Sequence, residues 1–273
     1  MSETPPSLPS PSDRPATPLG VLDAVGMGWR LMMSDFWSLW VTAFVMLLIV
    51  MAAGMFGVPA QILVAPPMMA GLFYVIAKRI DGGRAEVGDL FAGFKERFGP
   101  SVVGMLPVTA AGFVLGFLIV AALAVLFLVG GGIIAAAEGE EEVVAVVMIG
   151  GLVLFIIIEL LLILAFCIFA VFFDFVPAAV WDHPESGWAA AKASMRLVRD
   201  HFLSMIGFIL VFWAIGTAAN FIGMMACCIG VFFTTPLLLV WQYATLVYLY
   251  RSWTGRPLVQ APASETDATA NEN

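Results

Sequence analysis

The chain has 273 residues, of which 62% are hydrophobic and 12% charged, with a mean hydropathy of +1.00. A soluble domain carries roughly 25% charged residues, so there is too little charge here to coat a surface facing water. Twelve Lys and Arg against twenty Asp and Glu give a net charge of −8, and the cations form no block, which argues against a nucleic-acid partner.

Three cysteines supply no disulfide framework and no metal-ligand spacing. The composition predicts an all-α, polytopic membrane protein. Residues 1–18, rich in Pro and Ser, read as a disordered tail without the basic region and adjacent apolar core of a signal peptide. Residues 19–256 hold the transmembrane domain, and 257–273 read as a second disordered tail.

A spanning helix needs about 20 mostly apolar residues. Six stretches qualify: 36–56, 58–79, 101–130, 143–173, 202–225 and 229–250. Gly57-Val58-Pro59 separates the first two, and Asp81-Gly82-Gly83 opens a polar loop. Gly130-Gly131-Gly132 leads into an acidic connection with Glu138, Glu140, Glu141 and Glu142. Asp182-His183-Pro184 ends the fourth span, and Cys227 to Gly230 reads as a short turn.

The twelve basic residues all fall before span 1, at the end of span 2 or between spans 2 and 3, between spans 4 and 5, or after span 6. The three opposite connections contain none. By the positive-inside rule both termini and the two large loops are expected in the cytoplasm. Trp29, Trp37, Trp40, Trp181, Trp188 and Trp253 cluster at that boundary, as an interfacial aromatic belt would.

An amphipathic stretch precedes each odd-numbered span: Val25, Trp29, Met32, Phe36; then Val87, Phe91, Phe94, Phe98; then Ala191, Met195, Val198, Phe202. The shared spacing of four, three and four places each set on one helical face. Arg30, then Lys95 and Arg97, then Lys192, Arg196 and Arg199 fall between them, giving interfacial helices whose cations would meet anionic lipid headgroups. Pro67 precedes Tyr74 by seven residues, as Pro236 precedes Tyr243. Together these patterns predict three helix–span–span units, the middle one with elongated spans.

Gly71-Leu72-Phe73-Tyr74, Arg79-Ile80-Asp81-Gly82-Gly83 and Asp89 to Phe94 carry a resemblance to uncharacterised bacterial six-span membrane proteins. Ala190 to Ser194, Gly223 to Gly230, Thr235-Pro236 and Tyr243 extend it over roughly residues 19–255. These families are similar to the membrane domain fused to some glycerophosphodiester phosphodiesterases. The resemblance implies a bacterial inner-membrane location and a module without assigned chemistry, since the hydrolytic domain has no counterpart here.

Glu159 stands alone among Ile156-Ile157-Ile158 and Leu160-Leu161-Leu162. An acid near the bilayer centre costs about 2.5–3.5 kcal/mol on insertion scales. With no Lys or Arg away from the span ends to pair with it, it reads either as a proton or cation relay or as a neutral acid joining helices. Gln242 is the expected partner, with Tyr243 behind it. Pro67 and Pro236 would interrupt their helices and open carbonyls toward the same intramembrane polar site, while most membrane prolines only kink. Gly112 and Gly116 suggest a small-residue packing face.

Asp182, His183, Glu185 and His201 lack metal spacing, and Asp182 and Glu185 look like a helix cap. No nucleophile has a His at equal depth, so no catalytic residue, cofactor site or metal site is expected. The sequence favours a non-enzymatic module that organises or interacts with lipid or membrane partners. A transporter of a small solute, ion or lipid using Glu159 is the alternative.

Overall fold

The computed structural model describes residues 19–136, 141–225 and 229–255. The tails 1–18 and 257–273, the acidic Glu138 and Glu140, and Cys227 and Cys228 lie outside the described residues. Every regular element among the described residues is a helix: α1 (Val21–Ser34), α2 (Phe36–Met55), α3 (Val58–Ile80), a 3-10 turn (Val87–Phe91), α4 (Ala92–Glu96), α5 (Phe98–Ala136), α6 (Glu141–Val171), α7 (Val176–Asp182), α8 (Gly187–Asp200), α9 (Phe202–Met225) and α10 (Ile229–Thr254).

Six segments are long and apolar enough to cross a membrane: Phe36–Met55, Val58–Ile80, Phe98–Gly132, Ala145–Asp182, Phe202–Met225 and Gly230–Thr254. An apolar chain in hydrocarbon must satisfy its backbone groups internally, and a helix does so residue by residue. The protein is therefore an all-α, multi-pass membrane protein, as its composition predicts.

The helix breaks at one residue before each odd-numbered span. Asp35 (φ −144°, ψ 53°), Arg97 (φ −131°, ψ 20°) and His201 (φ −123°, ψ 31°) leave the helical region, and a Phe opens the next helix each time. Gly57, at φ 90°, makes the turn between α2 and α3, with Pro59 in the first turn that follows. A side chain is strained at that φ, and Pro suits the helix start.

Two of the three amphipathic stretches form regular helices of 14 residues, α1 and α8. The middle one differs: it is the 3-10 turn followed by the five-residue α4. Asp89 causes this by accepting the Glu86 N–H at 2.9 Å and Lys78 Nζ at 2.7 Å, which ties the turn to the end of α3. The fourth span also departs from a single rod. It is helical to Val171, turns through residues 172–175, and resumes as α7.

The described residues divide into two units, those of 19–104 with those of 175–255, and those of 105–174. In the first, α10 packs against α1, α2, α3 and α9. Tyr248 and Leu249 of α10, Leu72 and Ile76 of α3, Leu39 of α2 and Met205 of α9 are fully buried there. Glycine sets the closest approaches. A Cβ on Gly71 would lie 1.8 Å from the Leu90 carbonyl oxygen, and one on Gly93 would lie 1.9 Å from that of Pro67. The 3-10 turn and α4 can rest on α3 only because both positions lack a side chain. In the second unit the Phe166 ring lies 3.5 Å from a Cβ built on Gly112, whereas nothing approaches Gly116. Only the first of the two expected packing glycines touches a partner.

Candidate functional site

The ends of α3, α7 and α10 border a half-open cavity of about 220 Å³, lined by Phe73, Tyr74, Ala77, Ala178, Trp181, Val247, Tyr250 and Arg251. Each helix contributes residues one turn apart, as the 3.6-residue repeat requires: Phe73, Tyr74 and Ala77 from α3, Ala178 and Trp181 from α7, Val247, Tyr250 and Arg251 from α10.

The polar tips of these side chains are bound to neighbouring helices. Trp181 Nε1 donates to the Ala70 carbonyl at 3.0 Å, and the Tyr250 hydroxyl donates to Asp182. Arg251 grips Asp81 with Nη1 at 2.6 Å and Nη2 at 2.8 Å, and Nη2 also donates to the Ala77 carbonyl at 3.3 Å. Tyr74 stacks on Trp181 with ring centroids 4.8 Å apart. The walls are thus held rigidly, and they present aromatic faces and methyl groups.

Arg97, expected among the headgroup contacts, is drawn inward instead. Its guanidinium lies 5.1 Å over the Trp181 ring, Nη1 donates to the Glu96 carbonyl at 3.1 Å, and Nε is buried without a hydrogen-bond partner among the described residues. The other cations expected at headgroups, Arg30, Lys95, Lys192, Arg196 and Arg199, are exposed. On α8 they form a stripe with Trp188, at 188, 192, 196 and 199, opposite the buried Gly187, Ala190, Ala191, Ser194 and Val198. Lys192 Nζ sits 5.8 Å from the Trp188 ring, and Arg199 pairs with Asp200 at 3.7 Å in the open. Ser186 starts this helix by accepting the Ala189 N–H at 3.3 Å. That corrects the expectation that Asp182 and Glu185 form the cap. Asp182 instead binds Tyr250, Glu185 lies 4.0 Å from His183, and His201 stacks on Trp253 at 4.3 Å.

The expected intramembrane residues are distributed over both units. Glu159 belongs to Met105–Asp174, and Gln242, Tyr243, Pro67 and Pro236 belong to the other. Glu159 is 8% exposed in an α6 whose neighbouring positions are open, and its Oε1 has no hydrogen-bond partner among the described residues. It shares a helical face with Leu162, Phe166 and Phe169, which with Ala111, Val114, Leu115 and Leu118 line a shallow, open groove that does not include Glu159 itself. Gln242 is half-buried in α10, and Tyr243 meets Phe73 edge-on with centroids 5.0 Å apart. Pro67 is buried with its carbonyl against Gly93. Pro236 is buried as well, and one residue beyond the carbonyl it frees, Phe233 accepts Trp40 Nε1 at 3.0 Å.

The tryptophans divide in a way that position alone does not reveal. Trp29, Trp37 and Trp188 are exposed, as a belt requires. Trp40 and Trp181, joined by Trp241, which donates to the Val25 carbonyl at 2.9 Å, stitch helix to helix through their indole N–H groups. The signal missed was the spacing of Tyr74 and Ala77, Ala178 and Trp181, and Tyr250 and Arg251 near three span ends.

No curated protein and no solved structure matches the chain. A family defined by a domain of unknown function, DUF7847, matches residues 20–260, and the chain belongs to that family.

Proposed function

We propose that this protein is a non-enzymatic membrane module that gathers anionic lipid headgroups at the face bearing its basic residues. The observation that carries this reading is the α8 stripe. Trp188, Lys192, Arg196 and Arg199 lie exposed along one side of a helix whose other side is buried. Indole rings favour the headgroup level, and each cation near an anionic surface contributes about 1 kcal/mol. Arg30 and Trp29 on α1 extend the same chemistry. The proposed setting is a bacterial inner membrane with both termini cytoplasmic, which the placement of all twelve cations supports. The shared breaks at Asp35, Arg97 and His201 support three repeated helix–span–span units.

The test compares wild type with a Lys192→Gln, Arg196→Gln, Arg199→Gln variant in nanodiscs of mixed phosphatidylglycerol and phosphatidylcholine. Bound lipids are counted by native mass spectrometry. A severalfold loss of phosphatidylglycerol enrichment is expected, and equal enrichment in both proteins would refute the reading.

One observation favours a second reading, a transporter. Glu159 Oε1 is buried without a hydrogen-bond partner among the described residues, which leaves room there for a transported cation to bind. Glu159→Gln in proteoliposomes separates the two. Loss of proton or cation flux with thermal stability retained supports transport, and altered stability without any change in flux supports the lipid module.

A further inference from the structure

We propose that the cavity between α3, α7 and α10 holds one acyl chain of a bilayer lipid. This needs only that the protein spans a membrane, and it stands or falls separately from headgroup binding by α8.

Three properties of the cavity select the occupant. First, three of the four polar side chains in its lining are already engaged, with the Tyr74 hydroxyl beside them: Trp181 Nε1 with Ala70, the Tyr250 hydroxyl with Asp182, and the Arg251 guanidinium with Asp81 and Ala77. A charged or strongly hydrogen-bonding ligand would have to break one of these contacts before making its own, whereas a hydrocarbon chain asks for none. Second, the remaining surface consists of the aromatic faces of Phe73, Tyr74 and Trp181 and the methyl groups of Ala77, Ala178 and Val247. These gain from contact with methylene groups and lose nothing by excluding water. Third, the volume of about 220 Å³ is below the range of about 300–1,000 Å³ usual for whole drug-sized ligands. It suits part of a lipid rather than an entire one.

The location agrees. Ala77, Trp181 and Arg251 all lie within the last turn of their helices, where a span meets the headgroup level and lipid chains begin. The Arg251–Asp81 pair joins the ends of α10 and α3 at this level.

The experiment uses the full-length protein in liposomes doped with phosphatidylglycerol bearing a diazirine on one acyl chain. After irradiation, adducts are mapped by peptide sequencing. Wild type is expected to carry adducts on the cavity residues 73–77 and 178–181, together with adducts on exposed α5 residues such as Phe117 and Phe127. Ala178→Leu, which fills the space from α7, should lower the cavity adducts at least severalfold and leave those on α5 unchanged. Ala77→Leu fills it from α3 and gives the same test if the first variant does not fold. Labelling of α5 without labelling of the cavity in wild type overturns the proposal. So does undiminished cavity labelling in a folded filled variant. Cavity adducts that appear only after removal of residues 256–273 would also overturn it, identifying the chain's own tail as the occupant.

Discussion

Arg251 and Asp81 face each other across 170 residues of sequence, with two guanidinium nitrogens on two carboxylate oxygens at 2.6 and 2.8 Å. The pair joins the end of α10 to the end of α3. The Arg251 side chain is 12% exposed, while that of Asp81 is 52% exposed, so the two ends are not equivalent. Asp81→Asn removes a solvent-facing partner and is expected to cost at most about 1 kcal/mol. Arg251→Met also loses the bond to Ala77 and leaves Asp81 to water, so it is expected to cost more. Thermal midpoints in detergent check the order, and a larger loss from Asp81→Asn would contradict it.

The glycine contacts give the sharpest stability prediction. Gly71→Ala and Gly93→Ala each drive a methyl group into a backbone carbonyl, at 1.8 and 1.9 Å, and backbone cannot rotate aside as a side chain can. Overpacking usually costs about 1–3 kcal/mol, and both variants are expected at or beyond the top of that range. Gly116→Ala meets nothing within 4 Å and should be neutral or stabilising, since Ala favours a helix by about 0.5–1 kcal/mol over Gly. Equal losses at all three positions would show that space is not the cause.

Asp89 predicts an acid-sensitive joint. Burial pushes its carboxyl up, but the hydrogen bonds from Lys78 and the Glu86 N–H outweigh this and hold it below the ordinary carboxylate range. A carboxyl with a lowered folded-state pKa stabilises above its unfolded value of about 3.9, and the contribution fades as pH falls through the folded value. Melting curves between pH 6 and the acid limit should therefore converge for wild type and Asp89→Asn at the acid end, with wild type the more stable near pH 6. A difference that grows as pH falls would contradict the assignment.

Ser186→Ala removes the side-chain acceptor for the Ala189 N–H at the start of α8. Loss of such a cap costs about 1 kcal/mol. The melting midpoint is expected to fall, while phosphatidylglycerol enrichment persists, because the stripe from Trp188 to Arg199 is untouched. Loss of enrichment with an unchanged midpoint would reverse that assignment.

Much of this fold is legible in residue order. The six spans declare themselves because hydropathy integrates over 20 residues or more, and the three helix breaks fall one residue before Phe36, Phe98 and Phe202, where the amphipathic registers end. The 172–175 turn escapes notice because hydropathy cannot tell apolar residues facing lipid from apolar residues facing protein: Phe172 and Phe173 read as the end of the span 143–173, and nothing local says that a short helix follows. The cavity escapes for another reason. Its walls come from residues around 75, 180 and 250, and only the packing of α10 on α3 and of α7 on α3 brings them together. Trp181 shows the limit well: its position marks an interface, but nothing local says that its N–H is spent on Ala70.

The segment Phe98–Gly132 runs for 35 residues, about 52 Å of helix at 1.5 Å per residue, while Phe36–Met55 with its 20 residues covers about 30 Å, close to the usual hydrocarbon thickness of about 30 Å. One protein thus presents the bilayer with two incompatible demands. Around the short span the membrane is already the right depth. Around the long one the helix tilts or kinks, its apolar turns stand clear of the hydrocarbon, or the lipids stretch to meet them, at a cost of fractions of a kcal/mol for each Å of mismatch. A bilayer thick enough to cover the long segment upright would overreach the short one, so the difference has to be absorbed by tilt or by local deformation of the lipids around each span.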